Sequence, residues 1–370
     1  MHDRREFLKS LSSLSVVGPA FGIPRFVRGS IFGGGSDSIR WPKPIGSPVL
    51  ESIRPAIENS RDVFTHVDKI VEVAGWMGYE ELAMPVYPVP SGVKSTDPND
   101  VVDLLLVANS IDTAFTDFSS HVKFQVDYEG QHWSDSDAMF ACLNRAMNDG
   151  LPMLDGKFLA GVTRPQIAKI FAGNIEMPML DEKLEVLHQV GSVLAEKYDG
   201  RFHNFIKSCP PLLYDGGNGL VERMAKEFPR FNNVSPYDGK EIKFYKLAQL
   251  GLWFAYATYP KAGPVRLNDV DKMTTFPDYI VPVALRLLGI NSYSPSLEKA
   301  IDSYQMIPRN STQEVEIRAH SIYATALLRE EINKIRPADS QVIIPQVNER
   351  LWTHYHTTFW PHHLTRTIMY

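Results

Sequence analysis

Residues 269–279 read Asp-Val-Asp-Lys-Met-Thr-Thr-Phe-Pro-Asp-Tyr and lead directly into an apolar run, Ile280–Ile290. The run predicts a buried helix, and Asp278 stands where an N-cap belongs, because a carboxylate there accepts hydrogen bonds from unpaired backbone N–H groups. A carboxylate beside aromatic rings, here Phe276 and Tyr279, is also a common way to place a catalytic charge in a partly dry pocket. The stretch predicts a helix start and a candidate site together, and it leaves capping and catalysis both open.

The sequence on either side of this stretch carries mostly helical signals. Asp97 followed by Pro98 places an N-cap residue before a proline at the first helical position, which predicts a helix over Pro98–Ser110. Thr163 and Gln166 have the spacing of a capping box. Apolar residues at helical spacing predict further helices over Ser136–Asp149, Glu241–Thr258, Gln313–Ile335 and Val347–Tyr355.

One β-signal and one charged helix face complete the predicted fold. Residues 122–128 alternate in polarity and return through the turn Glu129-Gly130, which predicts a small β-hairpin. Glu314 and Arg318 stand four residues apart, and this spacing is typical of a pair on a solvated helix face. On spacing alone, Glu316 and His320 belong to the same kind of face. We expect a mostly α-helical fold with a small β-hairpin.

Composition excludes several classes of protein. In 370 residues, 44% are hydrophobic and the net charge is −5, which indicates a substantial core and no broad basic face for nucleic acid. The sequence has no uninterrupted apolar run of the ~18 residues that a membrane span needs. Cys142 and Cys209 are far apart and predict neither a disulfide framework nor a zinc site. We expect no nucleic-acid partner and no membrane partner.

The N-terminus has a composition of its own. Arg4-Arg5, followed by the weakly apolar Leu11–Ile23, resembles a twin-arginine export signal, although prolines interrupt the run and no clean cleavage site follows. An amphipathic or disordered leader, or a misassigned start, is the alternative. Residues 29–48 are rich in glycine and proline, as in a linker. We expect a leader and linker over residues 1–48 and one folded domain over residues 49–370.

Short motifs spread along the folded part add a second kind of information. They run from residue 58 to the last residue, and their order is more specific than any one of them. The motifs are Glu58-Asn59-Ser60-Arg61-Asp62-Val63, Tyr128-Glu129-Gly130, Leu143-Asn144-Arg145-Ala146, Met177-Pro178-Met179-Leu180-Asp181-Glu182, Phe244-Tyr245-Lys246, Thr275-Phe276-Pro277-Asp278-Tyr279, Glu314-Val315-Glu316-Ile317-Arg318, Leu351-Trp352 and His363-x-x-Arg366-x-x-x-Tyr370.

In this order the motifs resemble the queuosine salvage protein family, the queuosine 5′-phosphate N-glycosylase/hydrolases. The resemblance implies a single, mostly helical domain similar to the helical DNA glycosylases. It implies hydrolysis of the N-glycosidic bond of queuosine 5′-phosphate, which releases queuine for tRNA modification. The resemblance implies no metal and no organic cofactor. The implied partner is this small-molecule substrate, and the implied location is cytoplasmic, with export through the twin-arginine-like N-terminus as the alternative.

The resemblance also assigns expected roles to residues. Asp278 is expected at the ribose, where a carboxylate stabilises positive charge on the sugar or activates water. Asp269 and Asp271 are reserves for this role. Phe276 is expected to stack on the flat base, and Tyr279 and Trp352 are further candidates for this contact.

Charged residues are expected to bind the two ends of the substrate. Queuine carries a cationic secondary amine, for which Asp112 or Glu316 is a candidate partner. The phosphate requires a cation, with Lys246 as the first candidate and Arg318 as the second. His363 and Arg366 fit either a pocket or a packed C-terminus.

Three positions depart from the family pattern. Asp112-Thr113 stands where Asn-Phe is usual, Leu247 where arginine is usual, and Asn348 where an acid is usual, while Lys183 keeps a basic residue in place of arginine. Asn348 is therefore a candidate substrate-binding residue. Because a pocket discriminates through its buried hydrogen bonds, the departures leave two alternatives: an N-glycosidase for another modified nucleotide, or a non-catalytic nucleobase-binding protein.

Overall fold

The computed structural model of the protein describes residues 39–90, 95–260, 263–358 and 360–370. Pro42–Tyr370 forms one compact unit, and the described residues 39–41 belong with the N-terminal unit. The candidate export signal and the apolar stretch after it lie outside the described residues.

Helices dominate the described residues, so the predicted mostly helical fold is confirmed. There are fifteen α-helices and three short 3-10 helices in this part of the chain. The α-helices are α1 (Pro48–Ser52), α2 (Arg54–Glu58), α3 (Val67–Met77), α4 (Pro98–Ser110), α5 (Asp135–Asn148), α6 (Gly156–Gly161), α7 (Arg164–Ile170), α8 (Leu180–Lys197), α9 (Phe202–Lys207), α10 (Leu220–Glu227), α11 (Lys246–Thr258), α12 (Ile280–Leu287), α13 (Pro295–Asp302), α14 (Thr312–Ile335) and α15 (Ile344–Tyr355). The 3-10 helices are Pro229–Phe231, Val270–Lys272 and Ala338–Ser340. Of the described helices, not one combines the length and apolarity that crossing a bilayer requires.

Strands form three small antiparallel pairs in the described residues. The predicted hairpin is present as β2 and β3, whose register pairs Val126 with Trp133. Two further pairs were not predicted: β4 with β5, and β1 with β6 from distant parts of the chain. The strands are β1 (Val63–Thr65), β2 (Gln125–Tyr128), β3 (Gln131–Ser134), β4 (Val234–Tyr237), β5 (Lys240–Lys243) and β6 (Asn291–Tyr293).

The predicted helix Glu241–Thr258 is wrong at its start. Asp238 and Gly239 both have positive φ, of 46° and 73°, which is the conformation of a tight hairpin turn. The turn directs Lys240–Lys243 back along β4 as a strand, with Ile242 buried. The helix therefore begins only at Lys246, and that residue lies at its N-terminus.

Helix α14 is the central element of the core. It packs against α2, α3, α12 and α15, and it is buried on almost every side from Glu314 to Leu328. The expectation that Glu314, Glu316, Arg318 and His320 lie on a solvated face is wrong, because each is at most 3% exposed. Buried charges need partners inside the protein, and each of these four side chains has them.

Candidate functional site

The loop that leads into α12 is held by two buried amides from other helices. Gln249 of α11 accepts a hydrogen bond from the Thr274 N–H at 2.9 Å. The Asn348 oxygen of α15 accepts from the Thr275 hydroxyl at 2.5 Å and from the Phe276 N–H at 3.0 Å. Since both amides are buried, these contacts position the loop firmly between the two helices. Asn348 orients the loop through its side-chain oxygen.

Asp278 caps α12 and carries a buried charge. Its Oδ1 atom accepts hydrogen bonds from the N–H groups of Ile280 at 2.8 Å and Val281 at 3.0 Å. Burial raises the pKa of this carboxyl group, while the nearby Lys246 ammonium, the two N–H groups and a side-chain hydrogen bond from Trp352 act in the opposite direction. The capping interpretation is confirmed, and it leaves the second carboxylate oxygen without a backbone contact in the described residues.

Lys246 brings a cation to the N-terminus of α11. It is 5% exposed, and its ammonium group has no hydrogen-bond partner in the described ranges. Burial lowers the pKa of Lys246, and the charges of Asp112 and Asp278 oppose that shift. The two carboxylates therefore lie within electrostatic range of this ammonium group.

Two further buried cations lie beside Asp112. Lys183 donates hydrogen bonds to the carbonyl oxygens of Thr113 and Ala114, so it fixes the turn that carries Asp112. Burial lowers the pKa of Lys183 to about 7, with Asp112 acting in the opposite direction. Arg230 donates through Nε to the Ser110 carbonyl. Asp112, which is half-buried, thus faces Lys183, Arg230 and Lys246.

The Arg230 guanidinium group is only partly satisfied. The side chain is 1% exposed, and its Nη1 and Nη2 atoms have no hydrogen-bond partner among the described residues. Burial lowers the pKa of Arg230, which shows that the buried cation is short of compensating charge. Three cations thus lie near two carboxylates, Asp112 and Asp278. An anion would supply the charge that is missing.

Exposed aromatic rings lie next to these charges. Tyr279 is 41% exposed and Trp352 is 37% exposed, and burial nevertheless raises the pKa of the Tyr279 phenol. Both rings therefore have surface that a ligand can contact. The His362 ring packs on Tyr279 with 4.5 Å between ring centroids. Phe276, by contrast, is 3% exposed and has little surface to offer a base.

Two predicted carboxylates have other contacts. Asp269 accepts hydrogen bonds from the Leu213 N–H at 2.7 Å and from the Tyr214 N–H at 3.4 Å, and it pairs with Lys272. Asp271 is exposed in the 3-10 helix Val270–Lys272. Of the three aspartates in this stretch, the structure brings only Asp278 to the side chain of Lys246.

Glu316 and Arg318 are occupied by other protein groups. Glu316 accepts five hydrogen bonds, from the Ser60 and Tyr237 hydroxyls and from the N–H groups of residues 61–63. Arg318 donates to Glu314, to Asn233 and to the Pro277 carbonyl. Both side chains position neighbouring loops, and neither presents an unused polar atom in the described residues.

The two candidate residues near the C-terminus, His363 and Arg366, have different surroundings. His363 is buried and makes a 3.2 Å contact with the Tyr370 hydroxyl, as expected for a packed terminus. Arg366 is exposed and pairs with Glu182.

Sequence reasoning did not identify Arg230 or His362 as site residues. Arg230 lies in the 3-10 helix Pro229–Phe231 and His362 in the C-terminal segment, and no local pattern links either residue to Asp278. Arg230 lies between Phe228 and Phe231, and His362 directly precedes the His363 motif.

The arrangement combines a fixed carboxylate, a surplus of buried cations and two accessible aromatic rings. Such a set suits a ligand with a positive or developing positive centre, a phosphate and a flat base. In the described residues, no three side chains of the histidine, cysteine, aspartate or glutamate type are grouped as a metal site requires.

Comparisons with known proteins identify the family of this chain. The sequence profile described as queuosine salvage protein matches residues 93–370. A queuosine 5′-phosphate N-glycosylase/hydrolase of Sphaerobacter thermophilus is 30% identical over 327 residues, which cover 87% of this chain and 97% of that protein. Proteins with the same name from Bos taurus and Schizosaccharomyces pombe are 26% and 28% identical, over 82% and 71% of this chain and 90% and 75% of their own. The chain belongs to the queuosine salvage protein family.

Proposed function

We propose that the protein hydrolyses the N-glycosidic bond of queuosine 5′-phosphate and releases queuine. The relatives carry the name of this activity, and the chain covers nearly their whole length. The observation that carries the proposal is the buried Asp278 carboxylate, which faces the Lys246 ammonium group beside the accessible Tyr279 ring.

The chemistry requires a negative charge near the sugar. As the bond between C1′ and the base nitrogen breaks, its electron pair leaves with the base and positive charge develops on the ribose. Asp278 is held by the first N–H groups of α12, so its orientation does not change during the reaction. We assign to Asp278 the stabilisation of this charge. Water then adds at C1′ and yields ribose 5-phosphate.

The phosphate is the ligand group that the cations favour. Lys246 and Arg230 are buried, and burial lowers the pKa of each. A phosphate dianion between them would supply hydrogen-bond acceptors and the missing charge. Arg318, the second candidate for this role, has its donors occupied by protein groups. We assign the binding of the phosphate to Lys246, with Arg230 as the second cation for the same group.

The base would lie against the exposed rings. Tyr279 and Trp352 are the aromatic side chains with accessible faces beside Asp278. For the cationic amine of queuine, Asp112 is the better candidate of the two carboxylates considered. It is half-buried, whereas Glu316 is fully buried and accepts five hydrogen bonds.

The test is queuine release by the purified full-length chain, followed by mass spectrometry with queuosine 5′-phosphate as substrate. The variant Asp278→Asn should lose at least ~10²-fold in kcat, the scale for removing one preorganised transition-state stabiliser. Asparagine retains an oxygen that accepts the two α12 N–H groups, so the helix start should survive. The decrease in kcat then measures the contribution of the negative charge of Asp278.

Asp271→Asn is the matched control, because Asp271 is exposed in the same stretch and its variant should keep the wild-type rate. A rate for Asp278→Asn within threefold of wild type would remove Asp278 from the mechanism. Tight queuine binding without release by the wild type would favour the nucleobase-binding alternative. Release from a different modified nucleotide would favour the diverged glycosidase, with Asp112, Leu247 and Asn348 as the positions to examine.

A further inference from the structure

Burial raises the pKa of Asp278, and the carboxylate is fixed at the start of α12, where its charge can stabilise the sugar. Its Oδ1 atom already accepts hydrogen bonds from two backbone N–H groups. If Asp278 took the proton of the attacking water, it would lose the charge that stabilises the sugar at the moment when that charge is needed. A second group that accepts the proton would avoid this conflict.

His362 is the basic side chain in the right place. Its ring packs on Tyr279, the residue after Asp278, with 4.5 Å between centroids and 31° between ring planes. The side chain of His362 is half-buried. The Asp278 charge acts on this imidazole, which places the two groups within electrostatic range.

The hydrogen bonds of His362 define its tautomer. Nδ1 lies 2.9 Å from the carbonyl oxygen of His363, and a carbonyl oxygen only accepts hydrogen bonds. Nδ1 must therefore carry a hydrogen. In the neutral ring this leaves Nε2 as the atom with a lone pair, and Nε2 has no hydrogen-bond partner among the described residues.

Burial, more than any neighbouring charge, favours the neutral form of this ring. Burial lowers the pKa of His362, and Lys123 acts in the same direction. The His363 carbonyl and Asp278 oppose the shift. On the side of the β-hairpin, Lys123 is itself paired with Asp135 at 2.8 Å, and the Tyr279 phenol that faces the ring has a raised pKa. A neutral imidazole at physiological pH has its lone pair available.

We propose that His362 is a catalytic base whose Nε2 atom accepts the proton of the water that attacks C1′. The proposal rests on the proposed function and adds a residue to it. One O–H bond of water breaks, and its proton forms a bond with Nε2. The oxygen forms the new bond to C1′, and the C1′–N bond breaks with its electron pair leaving on the base. The imidazolium then returns the proton to the departing base or to solvent, which balances the reaction.

The experiment measures kcat and its pH dependence for full-length wild type and for His362→Gln, with queuosine 5′-phosphate as substrate. We expect a loss of about 10²-fold in kcat, at the lower end of the range for general acid–base catalysis. The acidic limb of the wild-type profile should report protonation of His362, so it should be displaced in the variant. His188→Gln is the matched control, since His188 is a half-buried histidine bonded to the Val162 carbonyl in another part of the fold.

A second variant separates packing from proton transfer. His362→Phe retains a ring that packs on Tyr279 but has no lone pair, so it should lose activity to the same extent as His362→Gln. A folded variant of either kind with a rate within threefold of wild type would overturn the proposal. If both variants misfold, nitrogen NMR of wild-type protein decides, because a resting tautomer with the hydrogen on Nε2 would also overturn it. Absence of queuine release by wild type would instead refute the proposed function.

Discussion

At the scale of single residues, Asp278 serves two purposes through two different atoms. Oδ1 completes the start of α12, and the net charge of the group faces Lys246. The sequence left capping and catalysis as alternatives, but the geometry allows both together. A cap fixes the carboxylate in direction, and a fixed carboxylate is what electrostatic stabilisation of a transition state requires.

Lys246 provides the residue-scale test of phosphate recognition. Lys246→Met retains much of the apolar stem and removes the charge. A charged hydrogen bond is worth about 1.5–3 kcal/mol, so the ratio of kcat/KM for queuosine 5′-phosphate to kcat/KM for queuosine should fall about 10- to 100-fold. The ratio is the proper measure because Lys246 also acts on Asp278, and this effect is common to both substrates.

Lys240→Met is the control for this measurement. Lys240 lies exposed at the turn between β4 and β5 on the same segment of chain, and its variant should leave the ratio unchanged. An unchanged ratio in Lys246→Met would mean that the phosphate binds elsewhere.

At the scale of elements, local chemistry made some parts of the fold predictable. The helix Pro98–Ser110 has the predicted bounds, because Asp97 accepts from the Asn99 N–H and Pro98 occupies the first turn. The capping box of Thr163 and Gln166 is also present. Each of these signals acts within four residues, so no distant partner is needed to interpret it.

Elements that depend on distant partners were not predictable in the same way. The polar residues of α14 suit a solvated face at their spacing, yet Glu316 is buried by a loop more than 250 positions earlier in the chain. Likewise β1 pairs with β6 across most of the folded chain. Such contacts leave no periodicity in either segment, and tertiary structure overrides the local preference.

Glu316 allows this buried contact to be measured. In Glu316→Gln an NH₂ group replaces one acceptor oxygen and meets donors, so we expect the free energy of unfolding to fall by about 3 kcal/mol. Urea denaturation of the full chain measures the change. Glu58→Gln is the control: Glu58 forms an exposed pair with Arg54, worth less than about 0.5 kcal/mol. Equal midpoints for the two variants would show that the Glu316 contacts contribute little.

At the scale of the whole molecule, the site exists only in the folded chain. Its residues come from the turn after α4, the 3-10 helix Pro229–Phe231, the start of α11, the start of α12, and the C-terminal segment. The sequence indicated Asp278, Lys246 and Asp112 because motif resemblance spans such distances. It could not indicate that Arg230 shares their charge environment, because electrostatic proximity between segments more than 100 residues apart has no local signature.

The same burial makes the stability of the whole molecule depend on pH. Burial lowers the pKa of His320 to about 3, as it does for His363. Between that value and the ordinary value of about 6.5, the unfolded chain binds protons that the folded chain excludes. Stability should therefore fall as the pH falls through this window, by up to about 1.4 kcal/mol per pH unit for each histidine. Asp278, whose pKa is raised by burial, acts in the opposite direction.

Urea midpoints of wild type and His320→Asn at about pH 7.5, 6 and 4.5 test this linkage. The variant should be less stable than wild type near neutral pH, because His320 contacts Thr65 and Ser60. Its stability should nevertheless fall less as the pH falls, because the variant lacks the buried imidazole that only the unfolded chain protonates in this window. His132→Asn is the control, because His132 is an exposed residue beside Asp127 and its variant should follow the wild-type slope. Parallel slopes for wild type and His320→Asn would mean that the buried imidazole is protonated in the folded protein, which would contradict the lowered pKa of His320.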